Sequence, residues 1–215
     1  MSQRVVLFDF DGVLFRNHVA QQHVADMSAR YCGRYIRCDP RFIKSWNQSN
    51  YKRYGHTAKM LEAFGYPASM EEYNHLVFHE WMDYDYIRTM LTTADFDNST
   101  DVLYSVNRLN RNGIECGIMT NGTRAWIDNI SELLLLDDVF DPELVFTNDS
   151  GLYTKPQPQA YERVDAALPD TSKTLVEDTQ ANLDPLNKKM GWDGVLVQSA
   201  DKLTDLLAGH RLLGG

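Results

Sequence analysis

Five short β-branched and apolar runs, alternating with helical patterns along most of the chain, constrain it to a parallel sheet covered by helices on both faces. The strands are expected at Val5 to Asp9, Glu115 to Thr120, Leu144 to Thr147, Thr174 to Asp178 and Gly194 to Gln198, each buried on both sides. Helices are expected near residues 99 to 111, 123 to 135, 158 to 167, 181 to 190 and 200 to 208. The anomaly is the spacing. About 105 residues separate the first two strands, far more than a simple crossover requires.

That long insertion reads as helix. Ala20, Val24, Met27 and Tyr31 form one apolar stripe at steps of four, three and four, and Gly33 supplies a stop. Asp39 before Pro40 has the form of an N-cap with proline in the first turn; Ser69 and Glu72 have capping-box spacing ahead of a segment running to about His79. Gly55 and Gly65 bracket another short helix. A length of 215 residues suits one domain with a sizeable insertion. The expected fold class is α/β: a doubly wound, three-layer, Rossmann-like core (residues 1–15 and 96–215) with an inserted α-helical cap (16–95). Gly214 and Gly215 read as an untethered end.

Composition excludes several classes. With 43% hydrophobic and 24% charged residues the chain is neither disordered nor low in complexity. Apolar stretches such as Val5 to Phe8 and Leu133 to Leu136 fall far short of the roughly 20 residues that span a bilayer. Arg4, Asp9 and Asp11 interrupt any uncharged signal core, so a cytoplasmic protein is expected. Cys32, Cys38 and Cys116 form no CxxC pair and suit reduced thiols. Charge is unevenly divided. The net charge is −9, yet residues 30–59 hold 8 basic groups and one acid, or +7, which leaves −16 on the rest. Of 24 aromatic residues, 13 fall between Tyr31 and Tyr86.

The strand ends carry the candidate chemistry. VVLFDFDGVL runs from a buried strand into Asp9 and Asp11, two carboxylates at the edge where parallel sheets bind ligands. Such a pair repels unless a cation or proton is shared, which implies Mg²⁺ or an acid/base couple; an accidental DxD is the alternative. GIMTNG presents the Thr120 hydroxyl and the Asn121 and Gly122 amides where a helix begins, suited to phosphate oxygens or simply to capping. Lys155, after a turn-rich Asp149 to Thr154, offers a point charge to a phosphoryl group, or a solvated loop amine. TLVED ends in Glu177 and Asp178, oxygen ligands for a hard cation or helix-capping groups.

In order, DFDGVL, IMTNG, TNDSGLYTKPQPQAYERV and VEDTQANLDPLNKKMG resemble the four motifs of the haloacid dehalogenase superfamily, over nearly the whole chain. The helical insertion between the first two motifs is similar to the subfamily whose caps lie there. The resemblance implies a phosphohydrolase in which Asp9 is the nucleophile, forming an aspartyl-phosphate, and Asp11 the acid/base. It further implies Mg²⁺ held by Asp9, the Asp11 backbone carbonyl and Asp178, with Thr120, Asn121 and Lys155 holding phosphate oxygens. Dehalogenase relatives lack a carboxylate at the position of Asp11, which favours phosphoryl chemistry. Arg16 and Asn17 stand where relatives often have Asp; Glu177 replaces a frequent Gly or Asp and is left open between ligand and supporting group. Asn182 matches an Asn of related nucleotidases, and Asp184 is a weaker candidate carboxylate.

The expected activity is Mg²⁺-dependent hydrolysis of small phosphorylated metabolites, with nucleoside monophosphates a first candidate because the insertion is cationic and aromatic. A solvated cationic face around an aromatic core is the alternative. No membrane partner is expected, and nucleic acid is the lesser reading of the basic segment. His75 and His79, four apart, lack an HExxH pattern and read as surface or core. GxSxG, GxxxxGK and GxGxxG motifs are absent from the sequence. A sugar phosphomutase, a receiver module and a non-catalytic binding protein remain competing readings; receivers carry their phosphoacceptor on a central strand and lack a large helical cap.

Overall fold

The computed structural model describes residues 3–150, 153–186, 190–198 and 201–209. Five strands form an all-parallel sheet in the order β3-β2-β1-β4-β5: β1 (Arg4–Phe8), β2 (Glu115–Met119), β3 (Val145–Phe146), β4 (Ser172–Glu177) and β5 (Asp193–Leu196). β1 is central. Leu7 pairs with Gly117 of β2 on one side and Leu175 of β4 on the other.

The two-residue period of β1 divides the core. Val6 and Phe8 join one apolar cluster with Val106, Leu109, Ile127 and Ile130, while Val5 and Leu7 join another with Tyr161, Val164 and Leu183. The first face is covered by α6 (Thr93–Arg111), α7 (Arg124–Leu134) and α10 (Leu203–Gly209), the second by α8 (Pro158–Ala167) and α9 (Gln180–Leu183). This is the three-layer α/β architecture expected. Burial on both sides holds for β1 but not for β5, where Asp193 and Leu196 are exposed, because β5 is an edge strand. β3 is shorter than expected, with Leu144 in a one-turn 3₁₀ helix. α6 starts six residues earlier than the periodicity suggested, at a capping box between Thr92 and Asp95. Part of the fourth motif, residues 187–189, and the Gly214–Gly215 end lie outside the described residues.

Between β1 and α6 lie five helices: α1 (His18–Cys32), α2 (Pro40–Tyr54), α3 (Thr57–Ala63), α4 (Met70–Asn74) and α5 (Tyr84–Met90), with a π-helical turn at His75–Glu80. Asp39 accepts from the Arg41 amide at 2.8 Å, and Ser69 accepts from the Glu72 amide at 3.0 Å, so both N-caps form as read. Asn17 caps α1 through Ala20 and donates to Met90 and Asp95, tying the entry of the insertion to its exit. The aromatic run is largely core. Tyr31 packs edge-on to Tyr35 and Tyr73, and Phe64 packs against Trp46 and Tyr54. Phe15 and Phe78 both pack on Trp126, joining the insertion to the sheet layers.

Candidate active site

The C-terminal ends of β1, β2 and β4 converge because the parallel register places Phe8 level with Ile118 and Val176, so the residues that follow emerge together. Asp9, Asp11, Thr120, Asn121 and Asp178 all line one cavity of about 360 Å³. Gly12 makes the approach possible. It has φ +89°, and a Cβ there would lie 2.2 Å from Asp178 Oδ2, so no other residue fits between the first and fourth motifs without displacing that carboxylate.

Lys155 lies beneath the cavity floor, 1% exposed. Its ammonium is 2.6 Å from Glu177 Oε2, 2.7 Å from the Met119 carbonyl and 3.1 Å from Asp9 Oδ1. All three N–H donors therefore have acceptors, and the lysine holds the charge of the two carboxylates rather than pointing into the cavity. Burial alone favours a neutral amine, but Asp9 and Glu177 outweigh it and hold the ammonium above its usual range. Burial first, and then the Glu177 charge, push the Asp9 carboxyl well up, opposed by Lys155. Burial also pushes Glu177 up, yet Lys155 beside it leaves that carboxyl below its usual value.

Glu177 is fully buried, and its second oxygen accepts from the Asp178 and Thr179 amides, both at 3.1 Å. Both oxygens are therefore engaged by the protein, as in a supporting group. Carboxylate oxygens of Asp9, Glu177 and Asp178 nevertheless lie within 4.8 Å of one another, an all-oxygen set that fits a hard cation. The Asp11 carboxylate is not in that trio. It turns to Trp126, whose indole N–H donates to its two oxygens at 3.1 and 3.2 Å. Burial pushes Asp11 up to about 6, the Trp126 hydrogen bond lowers it, and the nearby Asp178 charge raises it again. Burial likewise pushes Asp178 up to about 6.

Thr120 Oγ1 accepts from the Gly122 amide at 3.0 Å, which leaves its O–H facing the cavity. The Asn121 side chain is elsewhere. Its carboxamide accepts from the Lys155 amide at 2.7 Å and donates to the Lys155 carbonyl at 2.9 Å and the Gly55 carbonyl at 3.2 Å, so only its backbone N–H could meet an anion. Gly55, at φ +68°, ends α2 against the same loop; a Cβ there would sit 2.2 Å from the Lys155 carbonyl oxygen. Asn121 thus stitches the insertion to the segment bearing the lysine. Asn182 lines the cavity, whereas Asp184 accepts from Gln180 outside the acidic trio. His75 pairs with Glu80 at 3.0 Å, and among the described residues no metal-binding cluster includes His75 or His79.

Sequence reasoning missed Trp126, Tyr51 and His56, which also line the cavity. Trp126 had a signal: it stands three residues after the Thr123 N-cap of α7, in the turn nearest the strand ends. Tyr51 and His56 had none, since only the docking of α2 and of the N-terminus of α3 aims them inward.

The sequence matches the haloacid dehalogenase-like hydrolase family over residues 3–183, and the chain belongs to that family. Among solved structures it is similar to a haloacid dehalogenase superfamily phosphatase from Thermococcus onnurineus, at 15% identity, TM-score 0.55, and 96% and 97% coverage of the two chains. It is also similar to the L-2-haloacid dehalogenase of Xanthobacter autotrophicus, at 19% identity, TM-score 0.53, and 97% and 84% coverage. Among curated proteins no sequence relative matches. No described helix is long and apolar enough to cross a membrane.

Proposed function

We propose that this hydrolase is a Mg²⁺-dependent phosphomonoesterase, with the helical insertion acting as its cap. One observation carries the choice over dehalogenation: Asp11, two residues from Asp9 and lining the same cavity, has a carboxyl raised to about 6. A halide leaves as a stable anion and needs no acid; an alkoxide departing from phosphorus does.

In this reading Asp9 forms a bond to phosphorus as the ester P–O bond breaks, and the leaving oxygen takes the Asp11 proton. Asp11, now a carboxylate, removes a proton from water as its oxygen attacks phosphorus, releasing phosphate and the free Asp9 carboxylate. Thr120 donates to a phosphoryl oxygen, and Lys155, beside Asp9, opposes the burial and the Glu177 charge that favour its neutral form. Asp9, Asp178 and the Asp11 backbone carbonyl would hold Mg²⁺, which supplies charge neutralisation between an anionic nucleophile and an anionic substrate.

Phosphate release with Mg²⁺ across nucleotides and sugar phosphates tests this. Asp9→Asn is expected to lower turnover at least about 10³-fold; equal rates for variant and wild type would remove Asp9 as nucleophile. Transfer to a second hydroxyl of the same sugar, without free phosphate, would favour a mutase.

A further inference from the structure

Among the described side chains, the wall of the cavity supplied by the insertion carries no charge. Among the described side chains lining the cavity none is Lys or Arg, and the charged ones, Asp9, Asp11 and Asp178, are all acids. His56 is neutral on geometric grounds, because its Nδ1 accepts from the Ala58 amide at 3.1 Å and cannot also carry a proton. The basic segment faces the other way. Arg30, Arg37, Arg41 and Lys44 line a separate groove on the outer side of α1 and α2, and Lys59 reaches Gln157 at 2.8 Å.

Beside apolar Val24, Ala25 and Phe78, the groups that the wall offers to a polar substrate are uncharged. Asn47 is buried, and its Oδ1 accepts from Thr57 Oγ1 at 3.1 Å, which orients the amide so that Nδ2 carries the remaining donors. Gln48 and Tyr51 line the same wall further out. The charge of one phosphoryl group would be answered at the core rim by the cation that Asp9 and Asp178 would hold and by the Thr120 hydroxyl. A second anionic group on the substrate would lie against this wall with no counter-charge among the described side chains, at the cost of desolvating it unpaired.

Resting on the phosphomonoesterase reading, we infer that the substrate is a phosphomonoester whose leaving group is uncharged and presents hydroxyl or carbonyl oxygens to Asn47 and Gln48. Bisphosphates and phosphorylated carboxylic acids are disfavoured. The test is steady-state phosphate release with Mg²⁺ on pairs that differ in one anionic group: 2-hydroxyethyl phosphate against phosphoglycolate, and glucose 1-phosphate against glucose 1,6-bisphosphate. The uncharged member of each pair is expected to have a kcat/KM at least about tenfold higher. In Gln48→Arg, a substitution at an exposed position of the wall, that ratio should fall at least about fivefold, mainly through KM of the charged member. Phosphate release with a ratio at or below one in the wild type overturns the charge inference alone. No release from any of these esters, p-nitrophenyl phosphate included, overturns the phosphomonoesterase reading and this inference with it.

Discussion

Two sets of charges in this molecule differ in depth rather than in kind. On the insertion, Arg34 pairs with Glu72 at 2.9 Å and Lys44 pairs with Asp26, with side chains 26% to 49% exposed. At the rim of the sheet, Lys155 pairs with Asp9 and Glu177, with side chains between 0% and 11% exposed. The outer pairs are screened and worth little. The inner trio shifts every carboxyl around it, because each member has lost its water and answers only to its neighbours. A segment's net charge therefore says little about the field in the cavity it covers: Arg30, Arg37, Arg41 and Lys44 of the +7 stretch line an outer groove, while the described side chains it turns to the cavity are uncharged.

The sharpest test of that contrast is to remove one cation from each set. Lys155→Met leaves two buried carboxylates facing each other and should lower folding stability by about 3–5 kcal/mol in urea denaturation at pH 7. The double variant Lys155→Met/Glu177→Gln should recover part of that loss, since one of the unpaired charges goes with it. Lys44→Ala on the insertion should cost less than about 1 kcal/mol. Similar losses at the two lysines would erase the distinction.

A smaller effect separates neutral from charged burial. His56 is buried in the insertion, and burial pushes its imidazole down to about 3 from the usual 6.5. Below pH 6.5 the unfolded chain takes up a proton that the folded chain refuses, so this contribution is present above 6.5 and lost as the pH falls. Between pH 7 and pH 5 the loss is ~2 kcal/mol. The raised carboxyls of Asp11 and Asp178 act in the opposite sense over that range, so the measurable quantity is the difference between wild type and His56→Asn. If the two unfold with parallel pH dependence, His56 is not held neutral.

The same division governs what could be read from the sequence. Asp9, Asp11, Thr120 and Asp178 were legible because each follows a buried strand, and a parallel sheet delivers all its strand ends to one edge. Glu177 was half legible: its place was clear, but its occupation by Lys155 and two backbone amides depends on contacts remote in sequence. The inward face of the insertion was not legible. Helical periodicity separates an apolar stripe from the rest, but Gln48 and Arg41 both belong to the rest, and only the packing of α2 decides that one lines the cavity and the other an outer groove.

Trp126 is where the two regions meet, and it sets the smallest of the expected effects. Its ring packs against Phe78 and Tyr84 of the insertion while its N–H holds the Asp11 carboxylate. Trp126→Phe keeps an aromatic ring at the junction and deletes that donor. Because the hydrogen bond favours the ionised form, its loss should raise the Asp11 carboxyl by about half a unit to one unit. In the proposed reaction Asp11 is protonated to serve the leaving group, so the limb of the kcat/KM profile on which activity falls with rising pH should move to higher pH by the same amount. A profile that drops in height without moving would mean that the indole fills space at the junction and that Asp11 is tuned by burial and by the charges of Asp178 and Lys155.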